Sequence, residues 1–199
     1  MDIDWVREIG DQLDWHWRKR LRPRLVDLTD EEYFWEPVPG CWTVRPSRTE
    51  NERGGGRFTV DYAAAPTPTP VTTIAWRLAH ITVHVLAKRA ELYLGGPPID
   101  YDTHVYAGTA AAALDQLDRA YDTWSSGIRA ATATELARRC EPDSGPFTDR
   151  PVAAVVLHVN REVIHHGAEI ALLRDLYVRH RQWDPERPPG TAGLGPPAP

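Results

Sequence analysis

The stretch RPVAAVVLHVNREVIHHGAEIALLRDLYVRH, residues 150 to 180, decides what kind of molecule this chain makes. An α-helix turns about 100° per residue, so with His158 at zero Val155, Val159, Val163, Ile170, Leu173 and Tyr177 all fall between about 60° and 140°. Bulky apolar residues confined to one arc mark an amphipathic helix, and the middle of the arc is the direction of the core. Four polar groups interrupt the pattern: Glu162, His165, His166 and Glu169. On the same projection His166 lies at about 80°, inside the arc, and Glu162 at about 40°, on its border. His165, near −20°, and Glu169, near 20°, fall on the flank. Glu162 and His166 are therefore the inward polar pair, four residues apart, a spacing that lets both side chains reach one ion. A buried carboxylate is costly unless paired or coordinated, whereas a histidine can be buried neutral with a single hydrogen bond. A Glu–His hydrogen-bonded pair in the core remains the plain alternative, and a third ligand from another helix would displace it.

Three further segments carry helix signals. Residues 2 to 21 place Trp5, Ile9, Leu13 and Trp17 at four-residue spacing, with Pro23 just beyond. Residues 71 to 94 follow the entry APTPTP, with Thr72 or Thr73 as N-cap, and stop at GGPP. Residues 109 to 131 present Leu114, Leu117, Tyr121, Trp124 and Ile128 on one face. Strand alternation is nearly absent. The fold expected is all-α, a four-helix bundle, in which metal and cofactor sites are built from inward side chains on facing helices. The connection between the first two helices is long, roughly 50 residues, and such loops are commonly functional. It is a candidate pocket wall. Residues 1 to 181 read as the bundle, and 182 to 199 as a proline- and glycine-rich disordered tail.

Composition narrows the function. The chain has 199 residues, 42% of them hydrophobic and 26% charged, which suits one domain with a substantial core. A net charge of −5 gives no electrostatic footprint for nucleic acid or anionic membrane, and basic clusters such as RKRLRPR alternate with acidic ones. No run is long and apolar enough for a membrane span, and the acidic first residues lack a signal-peptide core, so a cytoplasmic protein is expected. Cys41 and Cys140 form no CxxC pair, in keeping with a reducing compartment. The eight tryptophans are expected mostly in the core or in pocket walls. There is no phosphate-cradling glycine loop and no GxSxG elbow, and neither cysteine has a histidine close in sequence.

The missing third ligand has two candidates in AWRLAHITVHVLAKRAELYL, where His80 and His84 are four apart at the edge of the most apolar side. Periodicity does not separate them. With WRLAHI (76 to 81), NREVIHHGAEIALLRDLY (160 to 177) and YFWEPVPGCWTVRP (33 to 46) in view, the chain resembles the DinB-like superfamily, specifically its actinobacterial branch related to the N-terminal domain of mycothiol-dependent maleylpyruvate isomerase. The resemblance covers about residues 5 to 180. It implies a DinB-like bundle whose metal ligands map to His80, Glu162 and His166, with Glu in the first of the two last-helix positions as in the mycothiol branch. It places neither His84 nor His165 among the ligands.

Two imidazoles and one carboxylate leave a divalent ion with net positive charge and open positions. Zinc is favoured, and the same set also suits iron, nickel or manganese. Such an ion lowers the pKa of a bound water or thiol. The expected function is that of a metal-dependent enzyme using a small-molecule thiol, mycothiol, with an electrophilic substrate, as an S-transferase or isomerase. The alternatives are a metal-dependent hydrolase and a non-catalytic stress-response or binding module with a vestigial site. His84, His165 and Glu169 are candidates to hold the ligands from behind. Arg77 and Arg161 are candidates to bind a carboxylate, and Trp35, Trp42 and Trp76 to line the pocket. Bundles of this kind can also pair into homodimers through an exposed helix face.

Overall fold

The computed structural model describes residues 3–47, 53–62, 67–142 and 144–182; the tail read from the sequence lies almost wholly outside them. Helix α1 (Trp5–His16) begins where the Asp4 side chain accepts a hydrogen bond from the Arg7 N–H. It runs on through a π turn (Trp17–Leu21) and a 3₁₀ turn (Arg22–Leu25) that carries Pro23. The second long element starts at Thr73, whose hydroxyl accepts from the Trp76 N–H at 3.2 Å. It is a continuous rod of three parts: α3 (Ile74–Ala79), a π-helical stretch (His80–Ala87) and α4 (Lys88–Leu94). Gly95, left-handed at φ 69°, ends it, a conformation that glycine adopts without steric cost. Helix α5 (Ala110–Ala130) is capped by Thr109, and α7 (Val152–Gln182) is the last and longest. These elements form the all-α bundle expected from the sequence.

The long connection is more ordered than its sequence suggested. Its first part is a short helix, α2 (Asp30–Phe34), closed by a reciprocal capping box between Thr29 and Glu32. Strands β1 (Val44–Pro46) and β2 (Phe58–Val60) then pair antiparallel, Val44 opposite Val60. Three-residue strands leave no room for an alternation that could be read in sequence. The connection is fastened to the rod through Thr73, whose hydroxyl donates to that of Thr43 at 2.7 Å, and through Trp76, whose Nε1 donates to the Asp61 carbonyl at 2.8 Å. A further short helix, α6 (Ala133–Ala137), precedes α7.

The core lies where the four long elements meet. Val155, Val159, Val163 and Ile170 of α7 are fully buried, and Leu117, Trp124 and Ile128 of α5 belong to the same buried cluster. The buried arc of α7 is wider than its bulky residues indicated, because Val156, Asn160 and Gly167 are buried too. Gly167 faces Leu21, where an added Cβ would come within 3.0 Å of the leucine side chain. Small residues thus let the first helix approach a side of α7 that hydrophobic periodicity leaves unmarked. Of the tryptophans, Trp17, Trp76 and Trp124 are buried and Trp35 and Trp42 half-buried, whereas Trp5 and Trp15 are exposed. Trp183 lies outside the described residues.

Arg174 of α7 ties the last helix to the connection. Its guanidinium binds both oxygens of Glu32, at 3.0 and 3.1 Å, and also donates to the carbonyls of Arg24 and Val26. Glu32 is 5% exposed, so this is a buried ion pair with additional hydrogen bonds.

Candidate metal centre

Helix α7 and the rod bring His80, Glu162 and His166 together. One ligand atom from each lies within 4.8 Å of the other two. His166, 8% exposed, is the most buried of the three, and its Nε2 is 3.3 Å from Glu162 Oε2. The His80 ring meets the His166 ring edge-on, with centroids 4.8 Å apart. His80 Nδ1 is buried and has no hydrogen-bond partner. Burial, followed by the positive neighbourhood of His166, His84, Arg77 and His158, pushes the pKa of His80 down to about 3. It is therefore a neutral imidazole at pH 7, the form that ligates metals. An unspent buried nitrogen, a second imidazole and a carboxylate converging from two helices fit a divalent ion with three protein ligands.

The structure separates His80 from His84. The His84 ring stacks on Tyr101 at 4.0 Å and on Tyr62 at 5.3 Å, while the other face of His80 is covered by Trp76 at 5.0 Å. The two histidines are themselves stacked, 5.3 Å apart, within the π-helical stretch. A π turn closes i→i+5 bonds and does not advance by the α-helical angle, which is why a helical projection could not rank them.

Behind His166 stands Glu169, whose Oε2 is 2.7 Å from His166 Nδ1. Arg77 Nε lies 3.0 Å from the same oxygen, a contact of charge rather than a directed hydrogen bond. A ligand histidine that gives its second nitrogen to a carboxylate is fixed in tautomer and orientation. Arg77 therefore faces a carboxylate of the protein itself. Arg161 flanks Glu162 at 3.7 Å and is mostly exposed, and His158 Nδ1 is 3.5 Å from Glu162 Oε1. Sequence reasoning had given His158 no part here. A second group, His165, His166 and Glu169, also converges. It shares His166, comes from one helix, and includes the largely exposed His165, which contacts Glu169 at 3.4 Å.

The long connection does wall the cluster. Val60 and Tyr62 line a small cleft with Trp76, His80 and His84, and Trp42 packs on Trp76 at 5.9 Å. Trp35 sits elsewhere, against Tyr177 and His180.

The profile of the DinB superfamily matches residues 12–170, most of the chain, and reaches into all four long elements. The chain belongs to the DinB superfamily. The matched span of this DinB chain includes all three converging residues. No curated protein and no solved structure matches it. No helix among the described residues is long and apolar enough to cross a membrane.

Two half-buried histidines, His80 and His84, are expected to make this DinB fold acid-sensitive. Burial first, then Arg53 and Arg89, lowers the pKa of His84 to about 4. An unfolded histidine titrates near 6.5, so below that pH the unfolded chain binds protons that the folded one refuses. The stability from His80 and His84 is complete above pH 6.5 and is lost as pH falls toward their folded values. For His84 this amounts to roughly 2 kcal/mol between pH 6.5 and 4.5. Urea unfolding of the metal-free protein should show the loss, and His84→Phe, which keeps an aromatic ring on Tyr101, should show a shallower one. Equal slopes in both proteins would refute the assignment.

Proposed function

We propose that this DinB-superfamily chain is a metal-dependent enzyme that uses a small-molecule thiol, mycothiol, to act on an electrophilic substrate as an S-transferase or isomerase, with zinc held by His80, Glu162 and His166. The observation that carries the proposal is the convergence of these side chains from two helices to within 4.8 Å of one another, with His80 Nδ1 buried and unpartnered. A divalent ion with open positions supplies Lewis acidity, which lowers the pKa of a thiol or water bound there.

The chain's own groups have distinct roles in this reading. Glu162 contributes the one negative charge among the ligands, and His80 and His166 contribute neutral nitrogens. Glu169 Oε2 and Arg77 Nη1 both reach His166 Nδ1, at 2.7 and 3.1 Å, and Arg77 pairs with Glu169, so the two together hold the His166 ring. Trp76, stacked on His80, keeps water from one side of the cluster and strengthens the electrostatics inside it. Burial argues against Cys41 and Cys140 as the nucleophile. Cys41 is buried, donates to the Val38 carbonyl at 3.0 Å and has its pKa raised by burial, and Cys140 is buried at the start of the segment leading into α7. An external thiol supplies what the chain lacks. The likeness of YFWEPVPGCWTVRP and the Glu162 position to the mycothiol-dependent branch supports mycothiol as that thiol.

Calorimetric titration of the zinc-loaded protein with mycothiol tests the reading. Binding is expected in the wild type and should disappear in His166→Ala. A wild type that ignores mycothiol yet hydrolyses esters until chelator is added would replace it with a hydrolase.

A further inference from the structure

Helix α7 is apolar on two sides. On the projection that puts His158 at zero, Leu157, Ile164, Ala168 and Leu172 fall between about −120° and −40°, opposite the core direction near 100°. Leu157 and Leu172 are 50% and 58% exposed, Ala168 is exposed and Ile164 half-buried. Helix α5, also long, exposes no large apolar side chain. A helix that is apolar outward as well as inward calls for cover on its outer side.

The order of residues along that side says what the cover is. Counting from Ala168, Ile164 and Leu172 lie four residues away in either direction, Arg161 and Asp175 seven, and Leu157 and Arg179 eleven. Arg161, Asp175 and Arg179 project into the same outward arc. When two copies of α7 pack antiparallel about a two-fold axis at Ala168, each residue stands level with the one equally far beyond Ala168 in the other copy. Ile164 then meets Leu172 and Arg161 meets Asp175, each contact made twice. Leu157 lies under the aliphatic stem of Arg179, and the small side chain of Ala168 lets the helices approach where they cross.

The two charges are accessible, with the side chains of Arg161 and Asp175 69% and 66% exposed. Arg24 binds Oδ1 of Asp175 at 2.6 Å, and a carboxylate has sites for more than one donor. Arg161 reaches the His158 ring at 2.8 Å and stands 3.7 Å from Glu162. The chain beyond residue 182 has only Trp183 and Leu194 as large apolar side chains, few for a stripe about 33 Å long. We propose that the outward side of α7 is a dimer interface, covered by α7 of a second copy of this chain running antiparallel, with Ala168 on the two-fold axis.

The proposal is independent of the metal reading and is tested by sedimentation equilibrium of the full-length protein at micromolar concentration. The wild type should give twice the chain mass. Ala168→Arg, which sets two cations against each other on the axis, should weaken the dimer more than tenfold. Arg161→Asp and Asp175→Arg should each weaken it, and the double variant, which restores the pairing with its signs reversed, should recover most of the wild-type affinity. These positions are exposed, so each variant should keep the helical circular dichroism of the wild type. Register is read by cross-linking. Ala168→Cys should form a disulfide-linked dimer on oxidation with diamide, and Leu157→Cys should not, because its two copies would stand about 33 Å apart along the helices. A monomeric wild type would mean that the chain beyond residue 182 or another molecule covers the stripe, and would overturn the proposal. A dimer indifferent to Ala168→Arg, a double variant no tighter than the single ones, or cross-linking of Leu157→Cys in place of Ala168→Cys would overturn it as well.

Discussion

Replacing Glu162 with alanine is expected to strip the protein of its divalent metal. Of the three converging groups it alone is anionic, and removing it leaves an ion facing two neutral imidazoles with Arg161 nearby. The expected loss of affinity exceeds the roughly 10–100-fold that follows removal of an outer partner. His80→Ala should behave alike, because it takes away the ligand from the second helix. Glu169→Gln, which loosens only the support behind His166, is expected to stay within that roughly 10–100-fold range. Elemental analysis after graded dialysis against chelator reads all three. His165→Ala identifies which group holds the ion: it should leave metal content unchanged. Retention of wild-type metal by both Glu162→Ala and His80→Ala would remove the centre altogether. Loss in His165→Ala with retention in His80→Ala would move it to the group on α7 alone.

The largest effect on stability is expected from Arg174→Ala, at about 3–5 kcal/mol, the range for breaking a buried pair by removing one partner. The damage comes from what is left behind. Glu32 would be left at 5% exposure with only the Thr29 N–H for company, and the carbonyls of Arg24 and Val26 would lose their donor. Glu32→Gln placed in the same protein should recover part of the loss, since a neutral amide is cheaper to bury than a carboxylate. Urea unfolding at neutral pH is the measurement. A cost below about 1 kcal/mol, typical of an exposed pair, would show that solvent reaches Glu32 after all.

The two kinds of information in the chain were unequally legible. Long periodic segments could be read almost to their ends: the cap at Thr73, the stop at Gly95 and the cap at Thr109 stand where local chemistry places them. The inward direction of α7 was equally plain, because a 31-residue helix averages over many apolar positions. Its second buried side was not, since Asn160 and Gly167 carry no hydrophobic signal and are buried only because the first helix passes close by. The pairing of Arg174 with Glu32 joins residues 142 apart through their tips, and nothing local marks it. At the site, Glu162 and His166 emerged from geometry, whereas His80 needed either the family likeness or the fold. The π-helical stretch begins at that residue, and a projection at the α-helical angle fails there.

That stretch makes the site depend on chain length as much as on residue identity. A π turn accommodates extra residues within an otherwise α-helical rod. Adding one more residue between 81 and 87, taken up at the α-helical step, would change no ligand. Yet everything before the added residue would turn by about 100° relative to everything after it. With α4 held by its own packing, Trp76, Arg77 and His80 would rotate away from α7 as a block, and all three side chains of the cluster would survive in the sequence without meeting. A count of residues, invisible to any comparison of side chains one by one, keeps the two helices in phase.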